Sequence, residues 1–562
     1  GDVYKRQLQD IRFDDGELPA YFQALGCQPS ALHPQLTTLL HQFEESKNFG
    51  SLIQPCLTET EIQSVHSSLH PSSFIIHNSD LMVAATHLKV LRVLEQAEVL
   101  TRRYQVVVAN PPYMGSGAMN PALKELARTQ FPDSKTDCFS MFIERGFGLA
   151  LQGGWSAMVT MQSWMFLGSF EKLRIKLLSE KTIHAAVHMA NMVMGIAFGT
   201  VACVWENRKR STHLGSFSYV DYEDISELGS PVGFPVKNKR LARVASEEFA
   251  RIPGSPIAYW LSPKMRGCFH GLTFGEHLCS EGAVKTGNNS KFIRMIWEVG
   301  SKSVGMNGPW RKHPKGGPYR KWYGNLDCVV RWTQDARRHY RENFIARIPV
   351  ESVWNVTGIT WTAVSSGELS FRLKVEDEIP NNAALLIYPR EASHLLAEIC
   401  GLNSSVTPHF LQVLSPTLNY LVGDVLAIPF PSNHAVLRDA ATVGEELVSI
   451  ARADWDNFET SWDFRDFPLL RSGKLEVESG KSADQAPRTA QVPTATSAFA
   501  TATSAFAPAA SHSLKGNNLA ESWANYAAYC TAAIRRMQEL ETENNRLFIA
   551  AYGLEGELSP EV

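Results

Sequence analysis

The sequence predicts an α/β fold around a mostly parallel sheet, and three observations carry that expectation. Helical and strand patterns alternate between about residues 81 and 206. The β-branched run Val106-Val107-Val108 stops abruptly at two prolines. At 562 residues, 44% hydrophobic and 20% charged, the chain has apolar content for several cores, which excludes disorder throughout. A formal net charge of −3 leaves no bulk electrostatic commitment to nucleic acid or membrane, so any such commitment is local.

Taken in order, residues 1–7 are set apart. Asp2-Val3-Tyr4-Lys5-Arg6-Gln7 matches the translation of a sequencing-library transposon end, gatgtgtataagagacag, and the natural chain is expected to continue upstream of Leu8. Residues 8–80 are mixed, with a helical pattern through Leu36, Leu39, Leu40 and Phe43, then the short run Gly50-Ser51-Leu52-Ile53. Val83, Leu88, Leu91, Leu94 and Val99 fall near a 3.6 period and predict a helix over 81–103. Gln105 to Ala109 reads as a buried strand ending at Asn110-Pro111-Pro112-Tyr113. A helix over 135–151, a strand over 155–161, a helix over 169–178 and strands over 183–188 and 200–206 follow. In such sheets ligands bind beyond the carboxyl ends of the strands, where Asn110 sits.

Residues 208–260 read as a polar connector with some strand content. From about 270 to 435, short strands with Gly and Pro turns and many Trp and Tyr predict a second domain, followed by a helical segment over 436–473. Residues 474–516, rich in Ala, Thr, Ser and Pro with Thr-Ala-Thr-Ser-Ala-Phe-Ala twice in tandem, read as a disordered linker, and Leu519 to Ile549 as a last helix. Nine singly scattered cysteines, with no Cys-x-x-Cys pair and no His cluster, predict neither a metal site nor a disulfide framework but reduced cytoplasmic thiols. No run reaches the length of a membrane span.

Asn110-Pro111-Pro112-Tyr113 at a strand end is the sharpest chemical signal; the alternative is a structural turn. It resembles the motif of amino-methyltransferases that use S-adenosyl-L-methionine. Beside that resemblance stands a physical reading. The exocyclic amine of adenine is a poor nucleophile because its lone pair is delocalised. The Asn110 side-chain oxygen and the Pro111 carbonyl can each accept one of its N–H groups and favour a more tetrahedral nitrogen. Tyr113 offers a face for a base extruded from the duplex.

Further stretches narrow the resemblance. Val107 to Gly115, Lys135-Thr136-Asp137 and Gly154-Trp155-Ser156-Ala157-Met158-Val159 are similar to the large adenine-specific methyltransferases of BREX phage-defence systems (PglX type). So are Glu543-Asn544-Asn545-Arg546-Leu547-Phe548-Ile549, Tyr552-Gly553-Leu554 and Glu557-Leu558 near the chain end. The resemblance implies a partial Rossmann-like methyltransferase sheet over 8–260, a mixed α/β target-recognition domain over 265–435 and a helical end over 517–562. It also implies S-adenosyl-L-methionine as methyl donor, double-stranded DNA as substrate and other BREX proteins as partners. Phe198 is its candidate for stacking on the flipped base; the alternative is an ordinary core phenylalanine. For Lys135 and Asp137 the alternative to a functional role is a helix-start charge pair. The family's Asp-Pro-x-x-Gly-x-Gly cofactor motif is absent, and Gly115-Ser116-Gly117 does not substitute for it. Gly50 and Ser51, with Asn110, are the remaining cofactor candidates, although Ser51 stands where relatives often have Asp and a strand-edge turn explains the run as well.

In the second domain, residues 301–347 hold eleven Lys or Arg against Asp327, Asp335 and Glu342, interleaved with Trp310, Tyr319, Trp322, Tyr323, Trp332 and Tyr340. From this island Lys302, Arg311, Lys312, Arg320, Lys321, Arg331, Arg337 and Arg338 are the candidates for DNA contact; the alternative is a solvated basic loop region. Lys285 to Asn289, Leu418-Asn419-Tyr420, Gly423-Asp424-Val425 and Ile428-Pro429-Phe430-Pro431 resemble turns that open and close recognition domains. Three other readings compete with a BREX adenine methyltransferase: a restriction-modification fusion with an upstream nuclease, a protein glutamine methyltransferase sharing Asn-Pro-Pro-Tyr, and a fragment that only binds DNA or partners. The basic aromatic island argues against the second.

Overall fold

A computed structural model describes residues 8–470 and 518–562, apart from positions 9, 26–31, 70–80, 194, 228, 230, 234, 366, 392, 393, 416 and 417. The expected scar over 1–7 and linker over 474–516 lie outside the described residues. The chain divides into two compact units, Gly1–Trp260 and Leu261–Val562.

The first unit opens with a helical layer of α1 (Glu17–Ala24), α2 (Leu32–Gln42), α3 (Glu59–Leu69) and α4 (Leu81–Thr101). Tyr21, Leu39, Phe43, Ile62, Val90 and Leu94 meet in its core. The apolar face of α4 differs from the expected one: Val83, His87, Val90, Leu94 and Ala97 are buried while Leu88 and Val99 are exposed. That face also takes in a polar residue, His87, whose Nδ1 lies 2.7 Å from the Tyr21 hydroxyl.

Strands β1 (Tyr104–Ala109), β2 (Ala150–Met161), β3 (Thr182–Met189), β4 (Thr200–Glu206), β5 (Leu214–Val220) and β6 (Ala242–Ala245) form one sheet in the order β1-β2-β4-β3-β5-β6. β1, β2, β3 and β5 run one way, as a mostly parallel sheet requires. The pairing is nevertheless mixed, because β4 returns antiparallel between β2 and β3, and β6 pairs antiparallel with β5. Residues 208–260 are not a connector: Phe217 and Val220 of β5 point into the sheet's two cores, and Phe249 and Tyr259 fill one of them.

Helices α5 (Pro121–Gln130), α6 (Cys138–Leu149) and α7 (Glu171–Glu180) alternate with these strands. α6 starts later than expected because Asp137 is its N-cap, and it ends earlier because Ala150 already belongs to β2. β1 is corrected too. It is the outer strand, and the alternating residues Val106 and Val108 are 55% and 74% exposed while Val107 and Ala109 pack inward. A β-branched run reads as buried on both faces from composition alone; among the described residues nothing covers this face.

The second unit is built on two antiparallel sheets. One has the order β8-β10-β9 from Ile293–Met295, Cys328–Arg331 and Trp310–Lys312. The other has the order β12-β11-β13-β7 from Phe371–Lys374, Gly358–Thr362, Ala384–Pro389 and Leu278–Cys279. α8 (Gln334–Glu342) covers the first sheet with Ala336 and Tyr340, against Phe292, Trp332 and Trp354. Helices α9 (Leu395–Asn403), α10 (His434–Trp455) and α11 (Leu519–Ala551) pack together in the same unit. The two ends of the stretch expected as a recognition domain, 265–435, are stitched where Phe274 N donates to Ile428 O and Phe430 N to Leu272 O, at 3.0 and 2.7 Å.

Candidate functional site

The prolines after β1 turn the chain off the sheet, and the turn is then clamped to α6. Asp137 accepts from Met114 N (2.9 Å) and Phe139 N (3.2 Å) through one oxygen, while Cys138 N donates to Met114 O (3.0 Å). Burial raises the Asp137 carboxyl above its ordinary range despite the lowering effect of the backbone N–H groups of Met114, Phe139 and Cys138. Asp137 therefore bears on the site through its cap, as a fastener of the loop that follows Tyr113.

Asn110 is exposed beyond the end of β1 and Pro111 is buried. Tyr113 Oη lies 3.3 Å from Val159 O of β2 and 3.5 Å from Asn110 Oδ1. Its ring packs edge-on against Phe139 on one side and meets Phe198 at 5.8 Å between centroids, with planes at 64°. Phe198 is 37% exposed, so it is not the buried core phenylalanine that the sequence left open. Two aromatic rings and an amide oxygen thus meet at the carboxyl edge of the sheet. This arrangement offers stacking surface and an exposed acceptor to a planar amine-bearing ligand.

The cofactor side is different. Gly50 (φ +55°) and Ser51 start a 3-10 turn, and Gly50 has open space where a Cβ would stand. The carbonyls of Ser51, Ile53 and Leu100 are taken by the buried Arg145 guanidinium at 2.9, 2.8 and 2.7 Å. Position 51 supplies a hydroxyl instead of a carboxylate for ribose hydroxyls. No strand precedes β1 among the described residues, so no glycine-rich turn leads out of a strand toward Asn110. These residues do not fit S-adenosyl-L-methionine as a complete cradle.

The basic island is corrected residue by residue. Arg311 is buried, donating to Asp377 O, Glu376 O and Asn355 Oδ1. Lys312 faces Asp377 and Asp463, Arg320 pairs with Asp454 and lies over Trp455, and Lys321 pairs with Glu541 of α11. These four cations hold the unit together. Trp322, Tyr323, Trp332 and Tyr340 are likewise core, with Trp322 Nε1 donating to Glu541 at 2.7 Å. Lys302 and Arg331 are exposed without an ion pair among the described residues, Arg338 has only the exposed Asp335 beside it, and Arg337 lies over Trp354. The turn over Lys285–Asn289 is a fold element: Gly287 (φ +74°) fits against Asn343 and Ala346, and Asn288 caps the next turn.

Sequence reasoning missed Arg145, Arg174, Gln162 and His188. The first two left a signal, since each is a lone arginine at a buried position of a helix otherwise packed through apolar residues. Arg174 donates to the carbonyls of Trp164, Leu167 and Gly254. Gln162 and His188 left none, because only the pairing of β2, β4 and β3 brings them together.

Comparison with known proteins follows this geometry. The model of the Eco57I restriction-modification methylase family matches residues 44–193, which include β1 to β3. The adenine-specific methyltransferase BrxX of Escherichia coli O9:H4 (strain HS) is 31% identical over 468 residues, 81% of this chain and 38% of that protein. The adenine-specific methyltransferase PglX of Lacticaseibacillus casei (strain Zhang) is 29% identical over 562 residues, 94% of this chain and 43% of that protein. Among solved structures, the Type IIL restriction-modification enzyme MmeI in complex with DNA overlaps with a TM-score of 0.39 at 12% identity, covering 99% of this chain and 80% of that one. A nuclease-deletion mutant of the Type ISP enzyme LlaGI with a DNA substrate mimic overlaps at 0.36 and 12%, covering 67% and 37%. The chain spans about two fifths of the length of the curated relatives it matches. Along most of its length the chain is thus similar to the adenine-specific methyltransferases BrxX and PglX, and over residues 44–193 to the Eco57I restriction-modification methylases.

Proposed function

We propose that the whole protein transfers a methyl group from S-adenosyl-L-methionine to the N6 amine of an adenine flipped out of double-stranded DNA, within a BREX-type defence system. This chain supplies the base-side half of that site. The observation that carries the reading is the meeting of Tyr113 and Phe198, 5.8 Å between rings, beside the exposed Asn110 at the sheet's carboxyl edge. A base resting on these rings presents its amine to the Asn110 side-chain oxygen and the Pro111 carbonyl. Each accepts one N–H, and the nitrogen lone pair is drawn out of conjugation with the ring. In the second unit Lys302, Arg331, Arg337 and Arg338 remain as the cations for phosphate or base contact.

The test is long-read sequencing of DNA from a host carrying the locus. N6-methyladenine at a recurring motif is expected with the unaltered gene and absent with Asn110→Ala, while the purified variant keeps its DNA affinity. Methylation surviving Asn110→Ala overturns the reading. For the chain by itself, the incomplete cofactor cradle favours a second reading, DNA binding without methyl transfer.

A further inference from the structure

Beyond the Asn110–Tyr113 turn, three side chains form a hydrogen-bonded line that runs toward Phe198. Tyr259 and His188 are buried, with Tyr259 Oη 3.0 Å from His188 Nδ1, and His188 Nε2 meets Gln162 Oε1. Burial, with Arg240 close by, pushes the His188 ring down to about 3, so it is neutral and carries one proton. Burial also keeps the Tyr259 hydroxyl protonated. The Tyr259 hydroxyl has no other acceptor among the described residues, so it donates to Nδ1; that places the ring proton on Nε2, which donates it to Gln162 Oε1. The amide orientation follows: its oxygen faces the imidazole, and its NH2 group has no acceptor among the described residues.

Gln162 lies against Gly199, the residue that follows Phe198 of the stacking pair. Its backbone N donates to Gly199 O at 3.1 Å, and its side chain crosses over Gly199 so closely that an added Cβ would stand 2.5 Å from it. Gly199 follows Phe198 in the chain, and β4 begins at Thr200. Glycine at 199 is what lets an amide from β2's end reach a histidine on β3 across β4.

With its oxygen committed, Gln162 can donate but not accept. It therefore cannot form the two-way amide pair that glutamine makes with the N6/N7 edge of adenine. The amine edge is already claimed by Asn110 and Pro111, and the polar atoms left on adenine are ring nitrogens with lone pairs. Resting on the reading of this edge as the seat of a flipped base, we propose that Gln162 is a specificity-determining residue that donates an N–H to a ring nitrogen of the target base, with His188 and Tyr259 as its positioning residues.

The experiment uses the whole protein and synthetic duplexes carrying 1-, 3- or 7-deazaadenine at the adenine that sequencing identifies as methylated, each replacing one ring nitrogen by CH. With the unaltered protein, one analogue is expected to lower kcat/KM by about tenfold or more, the effect of one lost hydrogen bond. Gln162→Ala shows a similar loss on adenine and no further loss on that analogue. Gln162→Glu retains an acceptor for His188 but has no N–H, and is expected to match Gln162→Ala with folding intact. In Tyr259→Phe the penalty for that analogue shrinks, because the imidazole tautomer and the amide are free to turn. Unaltered methylation by Gln162→Glu, or losses from Gln162→Ala and from every analogue that simply multiply, overturns the proposal. If the unaltered protein methylates no adenine, the underlying reading falls and the proposal with it.

Discussion

At the residue scale, the two buried arginines show how unpaired backbone is managed at the sheet's margins. Arg145 satisfies three carbonyls from the Gly50 turn and the end of α4, and burial pulls its guanidinium down to about 10. Arg145→Met fills the space but leaves those carbonyls without donors. A loss of about 3 kcal/mol is expected, read as a lower urea midpoint of the first unit. His188 gives a pH prediction. Its folded value of about 3 lies below the ordinary 6.5, so its contribution is complete above pH 6.5 and is lost as the pH falls toward 3. His313 of the second unit, buried with Ile379 O and Asn381 Nδ2 as partners and depressed to about 4, acts in the same direction. Melting temperature should therefore fall on acidification below about pH 6.5, with a shallower fall in His313→Gln. Neither histidine was legible as buried in the sequence, since a single histidine has no periodic signature.

At the scale of elements, α11 is tied to the second unit by polar side chains as much as by apolar ones. Glu541 accepts from both Trp322 Nε1 and Lys321 Nζ, while Asn544 donates to Cys400 O and Asn545 accepts from Ser405 N. Within its unit this helix packs on α9 and α10. Glu541→Ala strands a buried indole N–H and an ammonium, and limited proteolysis should release α11 at protease concentrations that leave the unaltered protein intact. Glu541→Gln, which still accepts from the indole, should fall between the two. The pattern of Glu543 to Ile549 was legible as family sequence, but its meaning lies in the carbonyls and amides it meets.

At the scale of the whole molecule, the near-neutral charge conceals a basic island, and the fold uses much of it inward. Salt dependence separates the two populations. If Lys302 and Arg331 contact phosphates, each alanine substitution lowers the slope of log affinity against log salt by about one, with little change in stability. Arg311→Ala should do the reverse, lowering the unfolding midpoint and leaving the slope unchanged. An equal slope change for Arg311→Ala and Arg331→Ala would falsify this division.

The sequence by itself determined the alternation of helices and strands and the strand that ends at Asn110-Pro111-Pro112-Tyr113, because these depend on local periodicity and on what proline forbids. Only the tertiary structure decided the rest. β4 enters between β2 and β3, which sets Phe198 against Tyr113 and Gln162 against His188. β1 keeps one face open, and cations that look alike in sequence divide into structural and exposed sets. Register, burial and charge pairing depend on residues distant in the chain, and a neighbour of that kind leaves no mark in a local pattern.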